Sequence, residues 1–298
     1  MKRQYLILLV MLAWTVCALQ HGVRAQGPLT QAAIELAEAG ELNQAQDQIA
    51  SALSTAEVEN PMTWYVQAYV LKELYVRNGR NPSSPERIDA VASARECLRL
   101  DAARRLEKWW GPLLEFLADS YLLDVRMDIQ NVTPDAPVEA ELRFAAYQEV
   151  QQILDADWDP QEEWVLMHQQ LGETAMASAL LLESASAGPW FALGTHHYQQ
   201  AANQAHDQYR SLYNLAVHTY NQGVREFKAS EDNLDAMDAA LKSAAVHWQK
   251  ASDLLESAIA LDDSAPQGFE ALAIVSTALL NQDRIEWCTS HLEELKGR

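Results

Sequence analysis

Residues 61–101 read PMTWYVQAYVLKELYVRNGRNPSSPERIDAVASARECLRLD. Asn60, just before this stretch, carries a side chain that can cap a helix, and Pro61 has its φ already set for a first helical turn. Trp64, Ala68, Leu71 and Tyr75 then recur at three- and four-residue spacing, which places them on one helical face. Ser84-Pro85 repeats the starting signal, and Ala90, Ala94 and Cys97 bring small residues back at the same spacing. Two antiparallel helices approach closely only where one presents a small side chain and larger ones fill the gaps beside it. The stretch therefore predicts a helix over 61–77, a short loop, and a second helix over 85–99 packed against the first.

The same pattern extends in both directions. Gly40-Glu41-Leu42 makes a turn, and Ala45, Ile49 and Ala52 follow it at helical spacing. Asp283-Arg284-Ile285 stands in the same relation to Cys288, Leu292 and Leu295. Tyr213, Ala216, Val217 and Tyr220 read as a first helix, with Ala251, Leu255 and Ala258 on its partner. Asp159-Pro160, with Glu162 three residues past the aspartate, reads as a capping box. Alternation at a period of two is rare, so strands are not expected. These signals predict twelve helices, over 29–39, 42–54, 61–77, 85–99, 104–128, 137–155, 160–184, 189–206, 208–229, 233–260, 265–280 and 283–296. Gly111-Pro112 is expected to kink or split the fifth.

A repeating unit of about 34 residues with Trp and Leu-Gly in its first helix and Ala-x3-Phe in its second defines the tetratricopeptide fold. Trp64-x2-Gln67-Ala68-x2-Leu71, the Ala90–Cys97 series, and the endings Leu100-Asp101 and Leu261-Asp262 carry that pattern. The chain resembles tetratricopeptide-repeat proteins, and in particular the exported ones of Bacteroidota-type bacteria, whose second helix pair opens on Trp-Tyr, here Trp64-Tyr65. The resemblance is clearest over 29–101 and 208–296. It is degenerate over 104–206, where Leu171-Gly172 and Leu193-Gly194 could each sit in a first helix. It implies an all-α, right-handed solenoid of about six antiparallel helix pairs with a concave groove, and a binding role without conserved catalytic residues.

Composition narrows the setting. Lys2 and Arg3, the apolar run from Tyr5 to Leu12, and the small residues Val23 and Ala25 have the layout of a secretory signal over 1–25, leaving 26–298 as one repeat domain. Cys17 follows Val16, an unusual neighbour for a lipidated cysteine. The apolar run is too short to anchor the chain across a bilayer. The whole chain carries a net charge of −20, and residues 1–25 hold Lys2, Arg3 and Arg24 but no acid. The remainder is more acidic still, which opposes binding to nucleic acid or anionic lipid. Cys97 and Cys288, far apart in an array, are read as buried free thiols rather than a bridge.

Local chemical motifs are weak. Asp155-x-Asp157-x-Asp159 begins like a calcium loop, but Pro160 and Leu166 stand where that loop needs glycine and a bidentate glutamate. His196-His197, with His206 further on, is the one histidine cluster. Adjacent histidines diverge by about 100 degrees on a helix, so no metal site is expected. No Gly-x-Ser-x-Gly elbow or glycine-rich phosphate loop is present. Asn131-Val132-Thr133 matches a glycosylation acceptor and is taken as chance. Trp109, Trp110 and Trp158 are the candidate partner surface, because exposed aromatics anchor interfaces. Trp109 and Trp110 cannot both face the same side of a helix.

The expectation is thus an exported, non-enzymatic protein of the periplasm or beyond, with no cofactor, that binds a protein or peptide partner of neutral or basic contact surface. The alternative is a glycan or small-ligand binder, which would need those three tryptophans on one open surface.

Overall fold

The computed structural model describes residues 27–131, 133, 138–182, 184–205, 208–228 and 234–297. The predicted secretory signal, Cys17 and His206 lie outside the described residues. Within them the chain forms twelve α-helices and one 3-10 turn, with no strand. The helices are α1 Pro28–Glu38, α2 Leu42–Leu53, α3 Pro61–Arg77, α4 Pro85–Leu100, α5 Glu107–Gln130 and α6 Val138–Leu154. They continue as α7 Gln161–Leu181, α8 Ser184–Gln204, α9 Gln208–Lys228, α10 Leu234–Leu261, α11 Pro266–Ala278 and α12 Gln282–Lys296.

The chain divides into two compact units. The first takes residues up to Tyr121 together with Glu149–Ala156, and the second takes Leu122–Gln148 and Asp157–Arg298. In the first unit α1 packs on α2, and α3 on both α4 and α2. Helix α1 also touches α3, the contact of one first helix with the next that stacked pairs make. In the second unit α7 pairs with α8, α9 with α10 and α11 with α12, and α9 also meets α11. This is an all-α, tetratricopeptide-like succession of antiparallel helix pairs, five of which pack within one unit or the other among the described residues.

Local chemistry accounts for most helix starts. The Asn60 side chain accepts from the Met62 amide at 3.0 Å, with Pro61 in the first turn. Asn281 accepts from the Arg284 amide at 3.1 Å. Asp159 accepts from the Gln161 amide at 3.0 Å, so α7 begins one residue later than predicted. The α1 terminus is capped from a distance: the carboxylate of Glu57, in the 3-10 turn Ala56–Glu59, accepts from the amides of Leu29 at 3.1 Å and Thr30 at 2.9 Å.

Three expectations are corrected. Helix α5 is not split at Gly111-Pro112; Pro112 lies inside one continuous helix. Its start is also later than expected, because buried Asp101 accepts from the amides of Arg105 and Leu106 and holds residues 101–106 as a turn. Helix α8 starts at Ser184 rather than Pro189, with the proline one turn and a half inside it.

Small residues sit where the helices approach most closely. In the first unit Ala33, Ala45, Ala52, Ala68 and Ala90 are fully buried beside Ile49, Leu71 and Tyr75. From α7 to α9 each helix presents a glycine notch to a ring of the next. A Cβ on Gly172 of α7 would fall 2.9 Å from the Tyr198 ring of α8. One on Gly194 of α8 would fall 2.5 Å from the His218 ring of α9, and one on Gly223 of α9 would fall 2.8 Å from Trp248 Nε1 of α10. The two Leu-Gly pairs thus belong to opposite members of one helix pair, and not both to first helices. Phe269, Leu272, Val275, Leu255 and Trp248 close the core of the last pairs.

Cys97 and Cys288 are both buried and unbridged, one in each unit. Burial pushes the Cys97 thiol up to about 12, with the neighbouring charge of Asp101 adding to the effect.

Candidate functional site

Within the first unit, the N-terminal half of α5 and the C-terminal end of α6 border an open groove of about 580 Å³. Residues 107, 111, 115 and 119 recur every four positions along α5, which puts Glu107, Glu115 and Asp119 in one line. Asp155, just past α6, joins them, and all four acids are exposed. Trp110, Pro112 and Leu154 supply the apolar part of the lining, and no lysine, arginine or histidine lines the groove among the described residues. Glu107 is bonded to Arg104 at 3.0 Å. Like charges four residues apart on a helix destabilise it by roughly 0.2–0.5 kcal/mol, so Glu115 and Asp119 hold their positions against local cost.

The candidate tryptophans separate. Trp110 is only 2% exposed, its ring packed inward at the groove and approached by the Arg104 guanidinium at 5.8 Å. Trp109, the next residue, turns to the other side as the helical angle requires. It is half-buried, with its ring 6.1 Å from that of Tyr65 and the Lys108 ammonium 5.4 Å from its centre. Trp158 belongs to the second unit, where it lies half-buried and edge-on to buried Tyr147 at 5.5 Å.

The second unit gathers three imidazoles and a carboxylate that sequence spacing did not connect. His196 and His197 do diverge on α8: the first is exposed and the second fully buried. Glu141 of α6 reaches them, and one donor atom from each of Glu141, His196 and His197 lies within 4.8 Å of the others. The Glu141 Oε1 to His197 Nδ1 separation is 3.8 Å. From α7, His168 Nδ1 meets His197 Nδ1 at 2.9 Å. Burial, with the charge of the neighbouring imidazoles adding to it, pulls His168 down to about 3 and His197 to about 4. Both rings are uncharged at neutral pH, so 3.8 Å separates a carboxylate from a neutral imidazole, and no ion pair forms there. His197 Nε2 is buried with no hydrogen-bond partner. Glu141 and His168 come from helices far from His196 in sequence, and no local motif could have named them.

A third buried histidine is accounted for by packing. His218 sits in the Gly194 notch, donates from Nε2 to the Phe191 carbonyl at 2.8 Å, and lies 3.1 Å from the Thr195 hydroxyl. Burial lowers it and that carbonyl bond opposes the shift.

No described helix is long and apolar enough to cross a membrane. No protein-family profile matches the chain, and no curated protein sequence matches it. Among solved structures it is similar to PilW, a widely conserved type IV pilus biogenesis factor, at 14% identity over 92% of this chain and 94% of that one, with a TM-score of 0.32. It is also similar to the human IFIT1 dimer with PPP-AAAA, at 12% identity over 85% of this chain and 67% of that one, with a TM-score of 0.22. The same human dimer with m7Gppp-AAAA gives 12% identity, 86% and 68% coverage, and 0.22. It is the chain's own succession of antiparallel pairs that makes it a tetratricopeptide-like helical-repeat protein.

Proposed function

We propose that this protein is a non-enzymatic interaction scaffold of the bacterial cell envelope, holding a basic segment of a partner protein in the acidic groove beside α5. The single observation that supports the reading is the line of exposed Glu115 and Asp119 along an apolar floor, with no lysine, arginine or histidine in the lining among the described residues. Lysine or arginine side chains would lay their stems on Pro112 and Leu154 and bring their heads to the carboxylates. Export follows from the reading of residues 1–25, and the acidity of the chain disfavours nucleic acid as the partner. Of the three tryptophans, Trp110 serves this reading as groove floor. Its burial takes one ring away from the flat aromatic platform that a sugar-stacking role would use.

The test is a crosslinking pull-down from native cell envelope with the wild-type chain and with Glu115→Lys/Asp119→Lys as baits. Exposed pairs contribute about 0.2–1 kcal/mol each, and reversal turns attraction into repulsion. The double variant should therefore bind the partner roughly 30-fold more weakly, a loss of about 2 kcal/mol. Wild-type binding should also weaken as salt rises. A near-stoichiometric partner captured equally by both baits would sink the groove assignment, and no specific partner at physiological salt would sink the scaffold reading.

A further inference from the structure

The Glu141–His196–His197 cluster is a different matter from the groove: it lies in the other unit and has the composition of a metal site. Zinc-type ions bind imidazole nitrogen and carboxylate oxygen at about 2.0–2.2 Å. Two ligand atoms on one such ion therefore stand about 3–3.5 Å apart. Here Glu141 and His197 are already 3.8 Å apart, and all three donors fall within 4.8 Å. Side-chain rotations of a few tenths of an ångström to about one ångström would close the set.

One further observation points to a ligand. Donors converge on one nitrogen: Nδ1 of fully buried His197 stands 3.8 Å from Glu141 Oε1 and 2.9 Å from His168 Nδ1. A histidine bound to a metal through one nitrogen ordinarily gives its other to a hydrogen-bond partner that fixes the ring. Here His168 meets the same nitrogen that faces Glu141, so its Nδ1 stands beside the donor set rather than behind the ring. The Trp164 ring lies tilted against His168, with ring centres 3.9 Å apart. The exposed ring of His196 and the half-buried Glu141 leave one side open, so an ion can enter from solvent.

We propose that Glu141, His196 and His197 bind a divalent transition-metal ion of the zinc type, His197 through Nδ1, with His168 Nδ1 beside them. Three protein ligands and one open side would leave a coordination position to water or to a donor atom from a partner. The ion would also tie α6 to α8, since its ligands come from both helices.

The experiment is calorimetric titration of the chelator-treated full chain with ZnCl2 at pH 7.5, repeated for Glu141→Gln and His196→Asn. Both positions are at least partly exposed, so these variants should fold, and circular dichroism checks that they do. His247→Gln is the control, because His247 Nε2 lies 3.0 Å from Glu226 Oε1, another histidine–carboxylate contact in this unit. One Zn2+ per chain is expected, with affinity reduced about tenfold or more by Glu141→Gln and by His196→Asn and unchanged by His247→Gln. Binding should also move the ring nitrogen signals of His196 and His197 in a nitrogen-15 NMR spectrum. Absence of saturable binding by Zn2+, and by Ni2+ and Cu2+ in parallel, overturns the proposal. So does an affinity indifferent to Glu141→Gln and His196→Asn, or one lost with His247→Gln.

Discussion

Replacing Glu57 with alanine should loosen the first helix pair, by an amount that follows from its contacts. Its carboxylate accepts the amides of Leu29 and Thr30 and the Thr30 hydroxyl at 2.7 Å. Loss of a helix cap costs about 1 kcal/mol. The hydroxyl bond to a charged acceptor adds roughly another 1 kcal/mol, because fully buried Thr30 keeps only its 2.8 Å contact with Thr63. The sum is about 2 kcal/mol, or roughly a 30-fold change in a local opening equilibrium. Amide hydrogen exchange of peptides spanning 28–38 reads that opening directly. Burial works to raise the Glu57 pKa, but the bonds from the Thr30 hydroxyl and the Thr30 and Leu29 amides outweigh it, and the net shift is downward. A carboxylate whose folded pKa is lowered contributes fully above the ordinary value of 4.5, and the contribution disappears as pH falls through the folded value. Urea titrations between pH 7 and pH 3 should therefore show an acid-side loss that Glu57→Gln diminishes. Wild-type exchange rates over 28–38 in Glu57→Ala, or an acceleration spread equally over the second unit, would refute the reasoning.

Further outcomes follow from burial. Gly194→Ala should destabilise the second unit by about 2 kcal/mol, because the His218 ring in its path is buried and held by the Phe191 carbonyl; an unchanged urea midpoint would show that the notch has room. Cys97 should resist iodoacetamide at neutral pH in the folded chain and react once the chain is unfolded, as peptide mapping will report, because its thiol is fully buried and pushed up to about 12. Rapid labelling of Cys97 without unfolding would contradict its placement.

The helices were largely legible because their starts are written locally. Asn60-Pro61 and Asp159-Pro160 act through their own neighbours, and the small-residue spacing of Ala90 and Ala94 survives into a buried interface. The first turn of α5 was misread because Asp101 reaches four and five residues ahead to cap the chain there, which makes 101–106 a turn despite its helix-forming composition. Pro189 looked like a start because proline favours first turns, but nothing in its neighbours shows that a helix already precedes it. The tryptophan pair behaved as helical geometry demands, one ring in and one turned aside. The acids of the groove were visible only as overall charge until α5 and α6 were set beside each other. The histidine cluster was invisible for the same reason: reading along α8 finds two diverging rings, and their third and fourth partners arrive from α6 and α7.

The run of notches from α7 to α10 has a mechanical meaning. Each ring is seated against the helix before it, so helix α8 is pinned at once by Tyr198 against α7 and by its own Gly194 against α9, and α9 likewise by His218 and Gly223. Helices packed through interchangeable aliphatic side chains can slide past one another by a fraction of a turn at little cost. Here a slide of one residue, about 1.5 Å along the axis, would carry a ring off its glycine and onto a neighbouring Cβ. The four helices must therefore shift together or not at all, and a force applied at α7 is passed to α10 as displacement instead of being absorbed between them.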